Sequence, residues 1–572
     1  MPGSCSGGKQ FWNKGLFGLR KSSWLLWLIP LLFLGFFFLY PLTAIFGLAL
    51  RTNELGWTSF PWQRVGSILG FTIFQAVLST LLTVLVGLPA AFLFGRYDFK
   101  GKNLIRLLST LPFILPTVVV AAGFNAIIGP NGLLNLLLMQ IWHLDQPPIQ
   151  ILNTLAAILL AHVFYNTAVV IRTVGSSLEQ LDPRLEQASR TLGASPWRSF
   201  WEVTLPLLRN SLASAALVVF LFDFTSFGVI LLMGGPQFAT LEVEIYYQTM
   251  QLLNLPLAAW LSIIQLGCTL ILTVIILHRG GGLPIPVAPR LSHSTNRQIQ
   301  SWKERLFLVM MMVLLIALLV MPLVALVLRS LTKLDAVRSG NNTIFGFTLQ
   351  YYRELFINRQ QSLFYVPPVE ALRNSFFYAL AASGLALFFG SLATYALLQK
   401  SRWNKFFDPL IMLPMGTSAV TLGLGFIIVF ATLPNARDFY PVLIPIAHSL
   451  VALPFVVRVL QPALASIPSS LKQVAATLGA SPWQVWFSVE LPIASRAAAV
   501  AGLFAFTISL GEFGATAFLS RPDIPTLPVA IFRFLSQPGS LNYGQALAMA
   551  TILMALCASV MLVIDRINTI NS

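Results

Sequence analysis

The sequence predicts an all-α membrane protein of about twelve transmembrane helices, arranged as two parallel six-helix repeats. Three observations carry the prediction. The 572 residues are 56% hydrophobic and only 10% charged, with a mean hydropathy of +0.77. A water-soluble chain of this length would need far more polar surface to cover itself. Apolar runs of about 20 residues, long enough to cross a bilayer, recur along the chain. The heptapeptide Thr-Leu-Gly-Ala-Ser-Pro-Trp occurs at 191–197 and again at 477–483, an offset of 286.

The candidate spans fall near 24–50, 66–95, 107–136, 150–175, 205–235 and 254–277, then near 306–328, 372–398, 406–432, 441–464, 492–519 and 542–564. Lys9, Lys14, Arg20 and Lys21 precede the first run, Trp24 to Leu50. That run exceeds the roughly 7–15 apolar residues of a secretory leader, so it reads as a retained helix with its basic flank inside. Alternation then places Arg96, Lys100, Lys102 and Arg106 in the cytoplasm, with Arg184, Arg190, Arg198 and Arg209, and with Lys400, Arg402 and Lys405. The stretches 137–149 and 236–253 fall outside as loops and hold no Lys or Arg, as positive-inside topology requires. The longer outside stretch 329–371 does carry Arg, and long loops obey the rule weakly. Twelve spans leave both termini cytoplasmic.

Residues 278–305 change character. Gly, Pro and Ser break helices there and nothing could pack a core. The stretch reads as a cytoplasmic linker between a first half, 1–277, and a second, 306–572. The 286-residue offset also relates Ala161-His162 to Ala447-His448 and Arg172 to Arg458. It further relates Val203-x-Leu205-Pro206 to Val489-x-Leu491-Pro492 and Phe227-Gly228 to Phe513-Gly514. Six spans per half give both halves one orientation, a parallel repeat with a site expected where they meet.

The net charge of +16 does not call for a nucleic-acid partner, because the basic residues lie in short loops between apolar spans and form no basic helix face. Cys5, Cys268 and Cys557 have no metal-ligand spacing, so neither a metal nor another cofactor is expected. Gly3 to Lys9 matches the first seven positions of a phosphate-binding loop. Gln10 stands where a Mg²⁺-binding hydroxyl is required, and no strand precedes it. No Ser/His/Asp or His-Glu-x-x-His arrangement exists, so no catalytic residue is assigned.

Two cytoplasmic loops, about 180–206 and 466–492, hold the repeated heptapeptide. Helix-forming residues run to Leu192 and Leu478. Gly193 and Gly479 suit a helix C-terminus, and Ser195-Pro196 and Ser481-Pro482 suit a new start. The spacing predicts a short helix, a tight turn, and a second short helix leading to Leu-Pro at the membrane. Gln-Ala-Ser-x-x-Leu-Gly-Ala from Gln187, followed by Val203-x-Leu205-Pro206, resembles the Glu-Ala-Ala loop of bacterial ABC importer permeases. The second loop matches at the same spacing. The resemblance covers nearly the whole chain. It implies a type I ABC importer permease fold in the bacterial cytoplasmic membrane. It also implies that Gln187, Ala188, Gly193, Ala194 and Pro206, with Gln473, Ala475, Gly479, Ala480 and Pro492, couple to two copies of a separate ATPase. An extracytoplasmic solute-binding protein would deliver the solute. Both copies depart from the family pattern where Gln187 and Gln473 replace its glutamate. Fused permeases of this size resemble thiamine and iron(III) importers. Ile158 to Asn166, and Ser226-Phe-Gly through Gly234-Gly-Pro-Gln237 to Glu242-x-x-Ile245-Tyr246, lean toward the thiamine pattern. A secondary transporter, the rival class, would leave the doubled loop without a purpose.

Few ionisable residues fall within the spans, where charge is costly. Asp223 lies in the fifth span and Glu512 in the eleventh, about one turn further along in the repeat register. They either face a central cavity and favour a cationic substrate or serve interhelical hydrogen bonds. His162 and His448 are equivalent and read as pathway residues or as packing residues satisfied by backbone carbonyls. Pro89, Pro112, Pro116, Pro414 and Pro454 are candidate kinks.

Overall fold

A computed structural model of the chain describes residues 26–51, 60–278, 297–334, 346–357, 367–399, 403–431 and 436–569. The basic N-terminal flank, the run Gly3 to Gln10, Lys400, Arg402 and residues 279–296 of the linker lie outside them. Among the described residues eleven helices are long and apolar enough to cross a membrane, and one sharply bent pair, taken as one span, makes a twelfth.

The helices of the first half run α1 (Leu26–Arg51), α2 (Trp62–Arg96), the consecutive α3 (Lys102–Ile114), α4 (Thr117–Ile128) and α5 (Leu133–Trp142), the last two forming one candidate span, then α6 (Leu155–Gln180). The short α7 (Pro183–Thr191) follows, then α8 (Pro196–Phe224), α9 (Gly228–Met233), α10 (Leu241–Tyr246) and α11 (Leu255–His278). The second half repeats the order as α12 (Trp302–Ser330), α13 (Pro368–Leu398), α14 (Asn404–Gly416), α15 (Ala419–Phe430) and α16 (Ala436–Ala465). It continues with α17 (Ser469–Thr477), α18 (Trp483–Gly511), α19 (Gly514–Leu519), α20 (Leu527–Ser536) and α21 (Ser540–Thr569). Among the described residues the only ladder pairs Tyr97–Asp98 with Arg297–Gln298, in parallel, and ties the end of the linker to the turn after α2.

Four spans and one expected loop differ from the sequence expectation. The third span of each half is broken. In the first half, Pro116 has no N–H and its ring disfavours helical backbone at the residue before it; Leu115 accordingly extends, with ψ 139°. In the second half, Ser418 extends at ψ 141° and caps α15 through its own hydroxyl, so α14 and α15 meet at 94°. By contrast Pro89, Pro112, Pro414 and Pro454 sit inside continuous helices. The fifth spans, expected at 205–235 and 492–519, begin earlier and stop at Phe224 and Gly511. Each passes through a π-helical turn, Phe200–Thr204 or Trp486–Glu490, immediately before Leu-Pro. That wider turn accommodates a prolyl ring that would otherwise collide with the carbonyl four residues back. The second short helix of each loop is therefore continuous with the membrane helix. Finally, 236–253 is not an open loop: α10 is buried, with Leu241 to Ile245 inaccessible.

Helices α3 and α4 match α14 and α15 at an offset of 302, whereas the histidines and the loops match at 286. The first half is longer here by α5 and the segment after it. Asn135 folds that addition back, accepting from Ile149 N–H at 2.8 Å and donating to the carbonyls of Gly129 and Ile149, each at 2.8 Å.

The halves exchange their first helices. On α1, Phe33 stacks on Phe389 with ring centroids 3.9 Å apart, and Trp27 meets Phe407 at 4.7 Å, both in the second half. Conversely α12 lies against α4, where Pro322 packs onto Gly123. Within each half the second helix packs on the fourth through a glycine. A Cβ at Gly87 would stand 2.7 Å from Val170 Cβ, and one at Gly390 2.7 Å from Val456 Cγ1. Gly87→Leu should therefore cost about 1–3 kcal/mol through forced separation of α2 and α6, lowering the thermal midpoint of the solubilised protein. Gly47→Leu, where a Cβ meets nothing within 4 Å, should leave it unchanged. Equal midpoints for the two variants would remove the close-packing argument.

Candidate translocation cavity and coupling turns

The four chain breaks, at Leu115-Pro116, Thr225 to Phe227, Thr417-Ser418 and Glu512-Phe513, come together. They line a cavity of about 360 Å³ between the halves. Phe227 and Phe513, equivalent in the repeat, stack across the pseudo-two-fold axis with centroids 5.4 Å apart. A Cβ on Gly228 would collide with Thr117 and approach Phe513, so the tight crossing depends on glycine there.

Asp223 lies one residue before the end of α8, fully buried and in the cavity lining. Asn166 donates to its Oδ1 at 2.6 Å, and His162 Nδ1 stands 3.4 Å from the same oxygen. Its Oδ2 is buried with no hydrogen-bond partner among the described residues. Glu512 follows the last residue of α18, also lines the cavity, and accepts from Ala515 N–H at 3.2 Å. The repeat register superposes Asp223 on Ser509 and Ser226 on Glu512. Carboxylate and hydroxyl thus exchange places between the halves.

Both histidines are buried and satisfied by side-chain hydroxyls rather than by backbone carbonyls. His162 bonds Ser79 and Ser226, each at 2.9 Å. His448 bonds Ser509 at 2.7 Å and Thr516 at 2.8 Å. His162 lines the cavity and His448 does not. Among the described residues no group of three His, Cys, Asp or Glu side chains could hold a metal ion.

The cavity contains a third carboxylate that sequence reasoning missed. Glu242 on α10 is fully buried, bonded by Gln265 and by Ser418 Oγ at 2.5 Å. It was hidden because its stretch lacked Lys and Arg and read as an outside loop. The signal that could have found it is Leu241-x-Val243-x-Ile245, an apolar run too regular for an exposed loop.

The two repeated turns lie at the other ends of α8 and α18. Each is a Schellman closure. Ala194 N–H donates to Ser189 O at 3.1 Å and Gly193 N–H to Arg190 O at 3.0 Å, and Ala480 and Gly479 repeat both bonds to Ala475 and Ala476. Gly193 and Gly479 hold φ at +90° and +86°, the left-handed region glycine tolerates best. Ser195 accepts from Arg198 N–H, and Ser481 from Gln484 N–H, as N-caps. Ser189 and Ser199 hydroxyls meet at 2.6 Å and brace the first turn. Gln187, Ala188, Gly193 and Pro206 are exposed, as are Gln473, Gly479 and Pro492, while Ala194, Ala475 and Ala480 are partly covered. At the tips Leu192 is 89% exposed and Leu478 83%, beside exposed Trp197 and Trp483. Rigid turns that display large apolar side chains have the form of an interaction site. The two are braced differently: Glu186 pairs with Arg96 at 3.6 Å, whereas its counterpart Lys472 pairs with Glu490 at 2.6 Å.

Residues 84–340, which run from the first half through the linker and α12, and residues 386–569 of the second half match the family described as binding-protein-dependent transport system inner membrane component. The chain is 28% identical over 505 residues to the thiamine transport system permease protein ThiP of Brucella abortus (strain 2308), covering 87% of this chain and 86% of that one. It is 27% identical over 572 residues to ThiP of Salmonella typhimurium (strain LT2), covering 95% and 96%. Among solved structures, a bacterial alginate ABC transporter in complex with an alginate pentasaccharide-bound periplasmic protein aligns at 18% identity and TM-score 0.37, covering 46% of this chain and 95% of that one.

Asn166→Ala would strip the buried Asp223 carboxylate of its 2.6 Å donor and should cost roughly 1–3 kcal/mol. Asp223→Asn added to it should recover part of that loss, because a neutral amide tolerates burial better than a carboxylate. A double-mutant cycle on thermal midpoints checks this; strict additivity would show that Asn166 does not serve Asp223.

Proposed function

The chain belongs to the family of binding-protein-dependent transport system inner membrane components, and we propose that it supplies both permease halves of an ABC importer for thiamine or a closely related organic cation. ATP hydrolysis resides in two copies of a partner ATPase, one docked at each repeated turn. An extracytoplasmic binding protein delivers the solute, and both termini face the cytoplasm of a bacterium.

One observation carries the reading. A single helix joins each turn to the cavity: α8 starts at the Ser195 cap and ends one residue beyond Asp223, and α18 ends beside Glu512. At 1.5 Å per residue each is roughly 40 Å long. Closure of an ATPase dimer would draw the two turns together. Helices of this length carry that movement to the cavity without needing a separate relay, so the halves rock between inward-open and outward-open states.

The cavity chemistry supports an organic cation. Asp223 Oδ2 has no partner among the described residues, and Glu512 and Glu242 add two further carboxyl groups. Phe227, Phe455, Phe504 and Phe513 supply ring faces, which attract cations and stack on planar rings. The volume falls at the lower end of small-molecule sites. Thiamine offers a thiazolium cation and a flat pyrimidine, and the similar ThiP proteins carry thiamine in their names. A ferric ion would find no use for the aromatic lining.

Two results are expected from the transporter reconstituted with its ATPase and binding protein. Gly193→Val with Gly479→Val should reduce thiamine-stimulated ATP hydrolysis by at least tenfold, since a β-branched residue at positive φ costs roughly 1–2 kcal/mol per turn. Undiminished uptake in that double variant would end the coupling assignment. Asp223→Asn and Glu512→Gln should each raise the apparent KM for thiamine about tenfold, the loss of one ionic contact. Wild-type KM values in both would remove the cation reading.

A further inference from the structure

We propose that Glu242 and Ser418 form a latch between the halves that an arriving cation releases. The inference rests on the organic-cation reading of the cavity and adds the means by which occupancy is sensed.

Glu242 belongs to the first half and Ser418 to the second. The Ser418 hydroxyl accepts from Val420 N–H at 3.0 Å and from Thr421 N–H at 3.5 Å, capping α15 at the 94° break. Its single proton goes to Glu242 Oε2 at 2.5 Å. Gln265, also of the first half, holds Oε1 of the same carboxylate. One buried hydrogen bond thus fastens the α10 segment of one half to the bend of the other.

The opposite interface has no such bond. The 286 offset places Pro528 at the position of Glu242, and the 302 offset places Pro116 at that of Ser418. Neither prolyl side chain can donate or accept. One of the two pseudo-symmetric contacts is therefore polar and exchangeable while the other is apolar, a difference that a pair of identical subunits could not maintain.

Glu242 and Ser418 both line the cavity. A cationic ligand entering it competes with the Ser418 hydroxyl for the carboxylate, and a full charge outcompetes a hydroxyl dipole where water is excluded. When Glu242 turns to the ligand, Ser418 keeps its capping role but loses its acceptor. The contact between α10 and α15 is then free to part, while the proline side remains a pivot.

The test uses the assembled transporter in proteoliposomes, with thiamine as the probe. Ser418→Ala removes the latch and leaves all three carboxylates in place. It should raise hydrolysis without thiamine several-fold and shrink the further stimulation by thiamine toward one. Ser418→Thr, which restores a hydroxyl donor, should return both values toward wild type; this separates the latch from a folding defect. Glu242→Gln keeps a hydrogen-bonding group opposite Ser418 but cannot take a cation, and should raise the KM for thiamine about tenfold. If Asp223→Asn and Glu512→Gln weaken transport while Ser418→Ala behaves as wild type, the latch alone is wrong. If those two carboxylate variants leave KM unchanged, the cation reading fails and the latch fails with it.

Discussion

In lipid, each backbone N–H and C=O must find a partner inside the protein, so any departure from helix has to be enclosed by protein or opened to a cavity. Among the described residues, four departures from helix within the core meet one another. Leu115-Pro116 and Thr417-Ser418 interrupt the third span of each half, and Thr225 to Phe227 and Glu512-Phe513 end the fifth. The cavity follows from that convergence. Its polar lining of Asp223, Glu512, Glu242 and Ser418 lies at or beside helix ends, where side chains can reach backbone groups that the helix has left unpaired.

Fusion of two repeats into one chain makes the cavity asymmetric without making the scaffold so. The exchange of α1 and α12 binds the halves, and the Phe227–Phe513 stack marks their axis. Around it equivalent positions have diverged in pairs: Asp223 against Ser509, Ser226 against Glu512, Glu242 against Pro528, and Pro116 against Ser418. The two repeated turns have kept their backbone, down to the same two Schellman bonds, while their bracing ion pairs reversed sign at Glu186 and Lys472. The backbone of the turns was held, and the lining of the cavity was not.

Much of this was legible in the sequence because it depends on local chemistry. Gly193 and Gly479 announce left-handed helix ends, Ser-Pro announces helix starts, and apolar length announces spans. The 286-residue register placed the two halves in parallel before any coordinates. What the sequence concealed depends on tertiary context. Hydropathy cannot distinguish one span from α3 and α4 meeting at a break, because both are equally apolar. It cannot show that α1 packs on the other half. The run around Glu242 read as a loop because charge bias reports only which residues are cationic, and burial of Glu242 is secured by Gln265 and Ser418, the latter 176 residues away.

The central claim is that solute passes through the cavity built on these four breaks. Thr225 lies in its lining without being one of its charged groups. In a Thr225→Cys transporter assembled with its ATPase and binding protein, saturating thiamine should slow maleimide labelling of that cysteine. Labelling at the same rate with and without thiamine, in a variant that still transports it, would contradict the account.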